Sequence, residues 1–167
     1  MKAASCPLNG RTGHESGREL LRLLYLEETG DPLPEIQITP RGKPRFADSP
    51  LHFSISHTPR HAFCVLAHCP VGIDAEELDR TIRPSLAERV LSPEEKKRYL
   101  AASDPRRAFL AMWVLKEAAV KLTGEGLHGI PNATDFSPED PRVREWEGCL
   151  VALMQEDPNE GVTYHAF

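Results

Sequence analysis

The sequence predicts an α+β fold of two α/β halves, each an antiparallel sheet packed with helices, meeting near Pro70. Three observations predict it. Residues 15–28 carry apolar side chains at helical spacing. Residues 51–57 alternate apolar and polar side chains, as a strand does. Beyond Pro70 a second long helix, from Pro105 to about Leu122, has strands of its own on either side.

The first helix places Leu20, Leu21, Leu24 and Tyr25 on one face and is stopped by Gly30, Pro32 and Pro34. Ile36 and Ile38 mark a short strand, and Arg41-Gly42-Lys43-Pro44 a turn. In LHFSISH, Leu51, Phe53 and Ile55 fall on one face and His52, Ser54 and Ser56 on the other, which predicts a half-buried strand. Residues 61–68 form a more apolar strand that Pro70 breaks, and residues 71–76 a third. A helix begins over 84–91. Another follows Ser92, an N-cap with Pro93 at the first helical position and Glu95 completing a capping box. Asp104 caps the long helix, Phe109, Met112, Trp113 and Val120 form its apolar stripe, and Gly124 ends it. Two strands near 148–154 and 162–167 close the chain.

The 167 residues suffice for one domain with a core, or for two small halves packed tightly. A net charge of −5 excludes an overall nucleic-acid footprint, so handling anions would need a local basic patch or a metal. No apolar run reaches the roughly 18 residues of a membrane span. MKAASCPLNG lacks the apolar core of a signal peptide, so a cytoplasmic location is expected. Cys6, Cys64, Cys69 and Cys149 include no C-x-x-C pair and no ligand-spaced His/Cys pair; they read as reduced thiols rather than a zinc site.

Four short segments carry chemistry. In VGIDAE, Asp74 and Glu76 project from one face of a strand, either as solvated acids or as ligands of a shared hard cation such as Mg²⁺. In WVLKEAAVK, Glu117 and Lys121 are one turn apart and could be a surface ion pair, yet with Lys116 they interrupt an apolar helix. His57 ends FSISH between hydroxyls, as a turn residue or a phosphate partner. Gly42-Lys43-Pro44 reads alone as a turn with a solvated lysine. Thr123-Gly124-Glu125-Gly126-Leu127 lacks the phosphate-loop pattern and reads as a helix stop and connector. Lys96, Lys97, Arg98, Arg106 and Arg107 make a basic stretch, either a solvated face or a docking surface for an acidic partner.

The ordered set GKP, FSISHT, VGIDAE and WVLKEAAVK, within about residues 40–130, resembles the 4′-phosphopantetheinyl transferases of the surfactin-synthetase-activating type. The resemblance implies two pseudo-symmetric halves, with coenzyme A in the cleft between them. Residues 1–70 would contact the nucleotide and 71–167 would hold Mg²⁺ and the catalytic groups. It implies transfer of the 4′-phosphopantetheine arm to a serine of an apo acyl or peptidyl carrier protein, with release of 3′,5′-ADP. Asp74, Glu76 and Glu117 match the Mg²⁺-binding acids, and Lys121 the lysine near the pyrophosphate. Asp74, Glu117 and Lys121 form the catalytic set, with Glu117 as the base, directly or through the metal's water. Lys43, Pro44, Ser56 and His57 match coenzyme A contacts; Lys116 is counted with them, and Glu95 matches a further acid near the site. The family's early basic residues, which grip the nucleotide 3′-phosphate, point to Arg18 ahead of Arg11 and Arg22. Two halves in one chain favour a monomer. The rivals are a module that binds coenzyme A or a carrier without catalysis, and a Mg²⁺-dependent pyrophosphate hydrolase.

Overall fold

A computed structural model describes residues 1–124 and 134–167. Its layers follow from where the apolar side chains go. Helix α1 (Gly13–Thr29) starts at a capping box between Thr12 and Glu15 and ends at Gly30, whose φ of 78° is left-handed. Its stripe of Leu20, Leu21, Leu24 and Tyr25 packs on Ala62, Cys64 and Leu66 of β5 (His61–Ala67) and Phe53 of β4 (His52–His57). Each fully buried large apolar side chain there contributes about 1.5–3 kcal/mol. These strands belong to a four-stranded sheet, ordered β4-β5-β1-β9, with β1 (Lys2–Pro7) and β9 (Thr163–Ala166). All its pairings are antiparallel except β1–β9, which is parallel. The strand expected near 162–167 thus crosses back to pair with the start of the chain. Strands β2 (Ile36–Ile38) and β3 (Pro44–Phe46) form a separate ribbon.

The opposite face of the four-stranded sheet carries Ala3, Phe63, Val65 and Ala67. It packs on Val71, Ile73 and Ala75 of β6 (Val71–Glu77) and Cys149 and Val151 of β8 (Cys149–Gln155). With β7 (Val143–Trp146), these form an antiparallel sheet ordered β6-β8-β7. Leu150, Ala152 and Met154 point the other way, onto α4 (Pro105–Thr123). The layers therefore run α1, sheet, sheet, α4. Helices α2 (Pro84–Val90) and α3 (Pro93–Ala101) lie before α4 in the chain and pack against it. Ser92 and Glu95 form the expected capping box, and Gly124 at φ 72° ends α4. Glu125, Gly126 and Leu127 of the expected connector lie outside the described residues.

The expectation of a half-buried β4 is corrected. Ser54 and Ser56 are each only 6% exposed, because β6 covers their face while α1 covers the other. Hydroxyls stand there because they have partners: Ser54 Oγ accepts from the Ile73 amide at 3.1 Å, and Ser56 Oγ donates to Asp74 at 2.9 Å.

Candidate active site

Alternation along β6 divides its side chains between two surroundings. Val71, Ile73 and Ala75 enter the core between the sheets, while Gly72, Asp74 and Glu76 face α4. Gly72 sets the spacing. A Cβ there would overlap the carbonyl oxygen of Ala118, so only glycine lets the α4 backbone come this close. On α4, Trp113, Glu117 and Lys121 repeat every four residues and form a stripe toward β6. Neighbouring turns bury Val114, Leu115 and Ala118, which fixes the rotation of that stripe.

The polar contacts bind the two elements together. Lys121 Nζ donates to Asp74 Oδ1 at 2.7 Å, and Ser56 Oγ donates to the same oxygen. Glu76 Oε1 accepts from Trp113 Nε1 at 3.1 Å and from Arg80 Nη1. Arg80 also lies over the Trp113 ring, 5.9 Å from its centroid. Glu117 takes no hydrogen bond among the described residues. Burial and then the charge of Asp74 push its carboxyl above the usual range, with Lys121 and Arg80 opposing. The bland pairing of Glu117 with Lys121 is therefore not the one formed, because the lysine reaches Asp74 instead.

These acids suit a hard divalent cation by their donor chemistry. All three offer carboxylate oxygens, and Glu117 is half-buried beside a second negative charge without a hydrogen-bonding cation of its own. Their oxygens do not all approach within the 4.8 Å that a ready-made cage would need, since Asp74 and Glu76 are drawn to Lys121 and Arg80. An ion that keeps several waters can bridge such a wider spacing.

Lys121 also lines a cavity of about 250 Å³ beside β4 and the end of α4. Gly42, Lys43, Pro44, Phe53 and Ile55 form its other wall. Lys43 is no solvated turn residue: its Nζ donates to the Leu122 carbonyl at 2.6 Å and to that of Val71 at 3.5 Å. Burial lowers its pKa. The ammonium thus caps the negative end of α4 and ties the 39–44 turn to α4 and the start of β6.

The remaining expected site residues fall elsewhere. His57 is exposed at the end of β4, where its ring lies against Gly13; a Cβ at Gly13 would collide with it. Arg18 is half-buried on α1, Arg11 is exposed before it, and Arg22 is held by Glu19 at 2.7 Å. Lys116 is 4% exposed and its Nζ lies 2.9 Å from Glu95 Oε2. Glu95 is wholly buried and also accepts from the amides of Ser92 and Phe136. This pair pins the start of α3 and the 135–136 segment to α4. The basic stretch is largely consumed internally: Lys96 pairs with Glu88, Lys97 with Glu94, Arg107 with Glu145, and Arg98 donates to the Phe136 carbonyl.

Arg80 and Ser54 are site-bearing residues that sequence reasoning missed. Arg80 is four residues past Glu76 but beyond the strand, so no periodicity links them. Ser54 had the signal of a hydroxyl at a strand position, yet only its pairing with β6 gives it a task.

The family model of the 4′-phosphopantetheinyl transferase superfamily matches residues 70–157, which include β6, α2 to α4, β7 and β8. The chain is 32% identical over 153 residues to the 4′-phosphopantetheinyl transferase psf-1 of Bacillus pumilus, covering 85% of this chain and 65% of that protein. It is 39% identical over 95 residues to the 4′-phosphopantetheinyl transferase HetI of Nostoc sp., covering 52% and 40%. A third relative, the 4′-phosphopantetheinyl transferase gsp of Aneurinibacillus migulanus, is 33% identical over 92 residues, covering 52% and 37%. The chain therefore spans less than two thirds of the length of each of these relatives.

Proposed function

Because the chain belongs to the 4′-phosphopantetheinyl transferase superfamily, we propose that it moves the 4′-phosphopantetheine arm of coenzyme A onto a serine of an apo acyl or peptidyl carrier protein. The other product is 3′,5′-ADP. The observation that carries this reading is the Lys121–Asp74 contact at 2.7 Å, at the wall of a cleft between the halves with Glu117 alongside. A lysine and several acids at one cleft suit a polyanionic donor and a hydroxyl acceptor.

In this reading Asp74, Glu76 and Glu117 would hold Mg²⁺, which when bound would neutralise and orient the pyrophosphate. The chain's own groups do the rest. The serine oxygen forms a bond to the phosphorus that bears the pantetheine arm, and that phosphorus loses its bond to the bridging oxygen. The electron pair leaves with 3′,5′-ADP. Lys121 donates to the leaving phosphate as its charge grows. Glu117 is the group placed to take the serine proton. Ser56 holds Asp74 in place through their 2.9 Å hydrogen bond. Lys43 and Pro44 in the turn wall, with His57 and Arg18 nearer the rim of α1, would position the nucleotide end. Lys116 would act at a distance, by fixing α4 against Glu95.

The reading extends to a division of labour, with residues 1–70 on the nucleotide and 71–167 on metal and transfer. It also includes the two-half, surfactin-synthetase-activating type, acting as a cytoplasmic monomer. No helix among the described residues is long and apolar enough to cross a membrane.

The test is the intact mass of several apo carrier proteins after incubation with the chain, coenzyme A and Mg²⁺. A mass gain of one phosphopantetheine arm, dependent on Mg²⁺, is expected. No gain on any carrier would reject the reading. Free phosphopantetheine released without a carrier would indicate a hydrolase instead.

A further inference from the structure

A second group of ligand-type side chains lies on the other face of β6. Glu77 pairs in register with Cys149 of β8, and both point into the core between the sheets. His61 begins β5 on the face that carries Phe63 and Val65, so it meets them from the opposite sheet. One ligand atom from each of His61, Glu77 and Cys149 lies within 4.8 Å of the other two.

The cluster has unmet bonding capacity. Glu77 is 6% exposed, yet its Oε1 is buried with no hydrogen-bond partner, and the same holds for His61 Nδ1. A buried polar atom left unpaired is destabilising, and a bound cation would relieve it. The other Glu77 oxygen accepts from Arg60 Nε at 2.7 Å and from Nη2, which orients the carboxylate and leaves Oε1 available. Cys149 is 0% exposed; its Sγ makes a long contact, 3.6 Å, to the Glu147 carbonyl, with Thr58 and Glu77 as its other polar neighbours.

We propose that His61, Glu77 and Cys149 form a zinc site that clamps the two sheets together. A nitrogen, an oxygen and a sulfur ligand suit zinc, a borderline ion, and are wrong for magnesium, which takes oxygen. The two sites are thus separated by chemistry as well as by strand face. Arg60 serves as the outer partner that fixes Glu77. Burial, then the charge of Glu77, pushes the Cys149 thiol up to about 12, and a bound dication reverses that balance by holding the thiolate. A cavity lined by Pro59, Arg60, Glu76, Glu77, Asp79 and Arg80 adjoins the Glu77 end of the cluster. The three ligands come from three strands, so no cysteine or histidine spacing in the sequence announces them. The inference does not depend on the transfer reading, since its test uses metal alone.

Cobalt(II) is the probe, titrated into the full chain after chelator treatment. An equimolar thiolate-to-cobalt charge-transfer band is expected, displaced by zinc and untouched by excess magnesium. Cys149→Ala and His61→Ala should each abolish or strongly reduce the band, whereas Cys64→Ala and Cys69→Ala should keep it. Arg60→Ala, at an exposed side chain, should weaken cobalt binding about 10–100-fold. Zinc should raise the melting temperature of the wild type and not that of His61→Ala, a change that removes no hydrogen bond to Nδ1. A chain that takes up no cobalt in a thiolate band would overturn the proposal. So would a band that survives both Cys149→Ala and His61→Ala.

Discussion

The Lys121 ammonium lies 2.7 Å from Asp74 Oδ1, joining the last turns of α4 to the middle of β6. Lys121 stands at the junction of the cleft cavity and the acids that face α4. The same charge that compensates Asp74 in the free protein is thus within reach of an anion entering the cleft.

Lys121→Met is expected to lower kcat for carrier modification by about 10²–10³-fold, the usual loss for one donor to a developing charge. Steady-state kinetics would measure it. A change confined to KM would make Lys121 a residue of ground-state binding only.

Glu117→Gln should stabilise the protein at alkaline pH. The Glu117 carboxyl is raised by burial and by Asp74, so its contribution is present at low pH and lost as pH rises through the folded pKa. Gln cannot ionise and escapes that loss. The variant should melt higher than the wild type at about pH 8, with the difference gone at about pH 4. Mg²⁺ at the higher pH should raise the wild-type melting temperature and leave the variant nearly unchanged. A wild type that is the more stable at the higher pH without Mg²⁺ would contradict this account of Glu117.

Lys116→Met should act on stability. Glu95, wholly buried, would keep its two amide donors and lose its ammonium. Breaking one side of a buried pair costs about 3–5 kcal/mol. Urea unfolding should show that loss, and Lys116→Met with Glu95→Gln together should recover much of it. If instead the single variant unfolds like the wild type and only the KM for coenzyme A rises, Lys116 touches the ligand.

Gly72→Ala should cost roughly 1–3 kcal/mol, the range for overpacking. The added methyl meets the Ala118 carbonyl, a backbone atom that cannot swing aside. Because the strain would part β6 from α4, transfer should fall as well. Unchanged stability would mean the two elements sit farther apart than described.

Helices were legible where local signals are strong. Ser92 with Glu95, Asp104 before Pro105, and the glycines at 30 and 124 mark ends through their own hydrogen bonds and backbone angles. Strand β1 left no such mark. Ala3, Ala4 and Ser5 lie between β5 and β9 and are covered on both faces, so small residues replace alternation. The face of β4 bearing Ser54 and Ser56 misled for a related reason: its polarity reflects partners on β6, not water. In the site, spacing of two along a strand and four along a helix put Asp74, Glu76, Glu117 and Lys121 on facing surfaces. What spacing could not give was partner choice, such as Lys43 on Leu122, Lys116 on Glu95, or Arg80 on Glu76. Those depend on which elements meet, as does the grouping of His61, Glu77 and Cys149.

The most direct measurement is the intact mass of an apo carrier protein, followed in time with coenzyme A and Mg²⁺, for the wild type beside Asp74→Ala. The account predicts that the carrier gains one phosphopantetheine arm with the wild type and none with a folded Asp74→Ala. Equal gain with both proteins, or no gain with the wild type across several carriers, would contradict it.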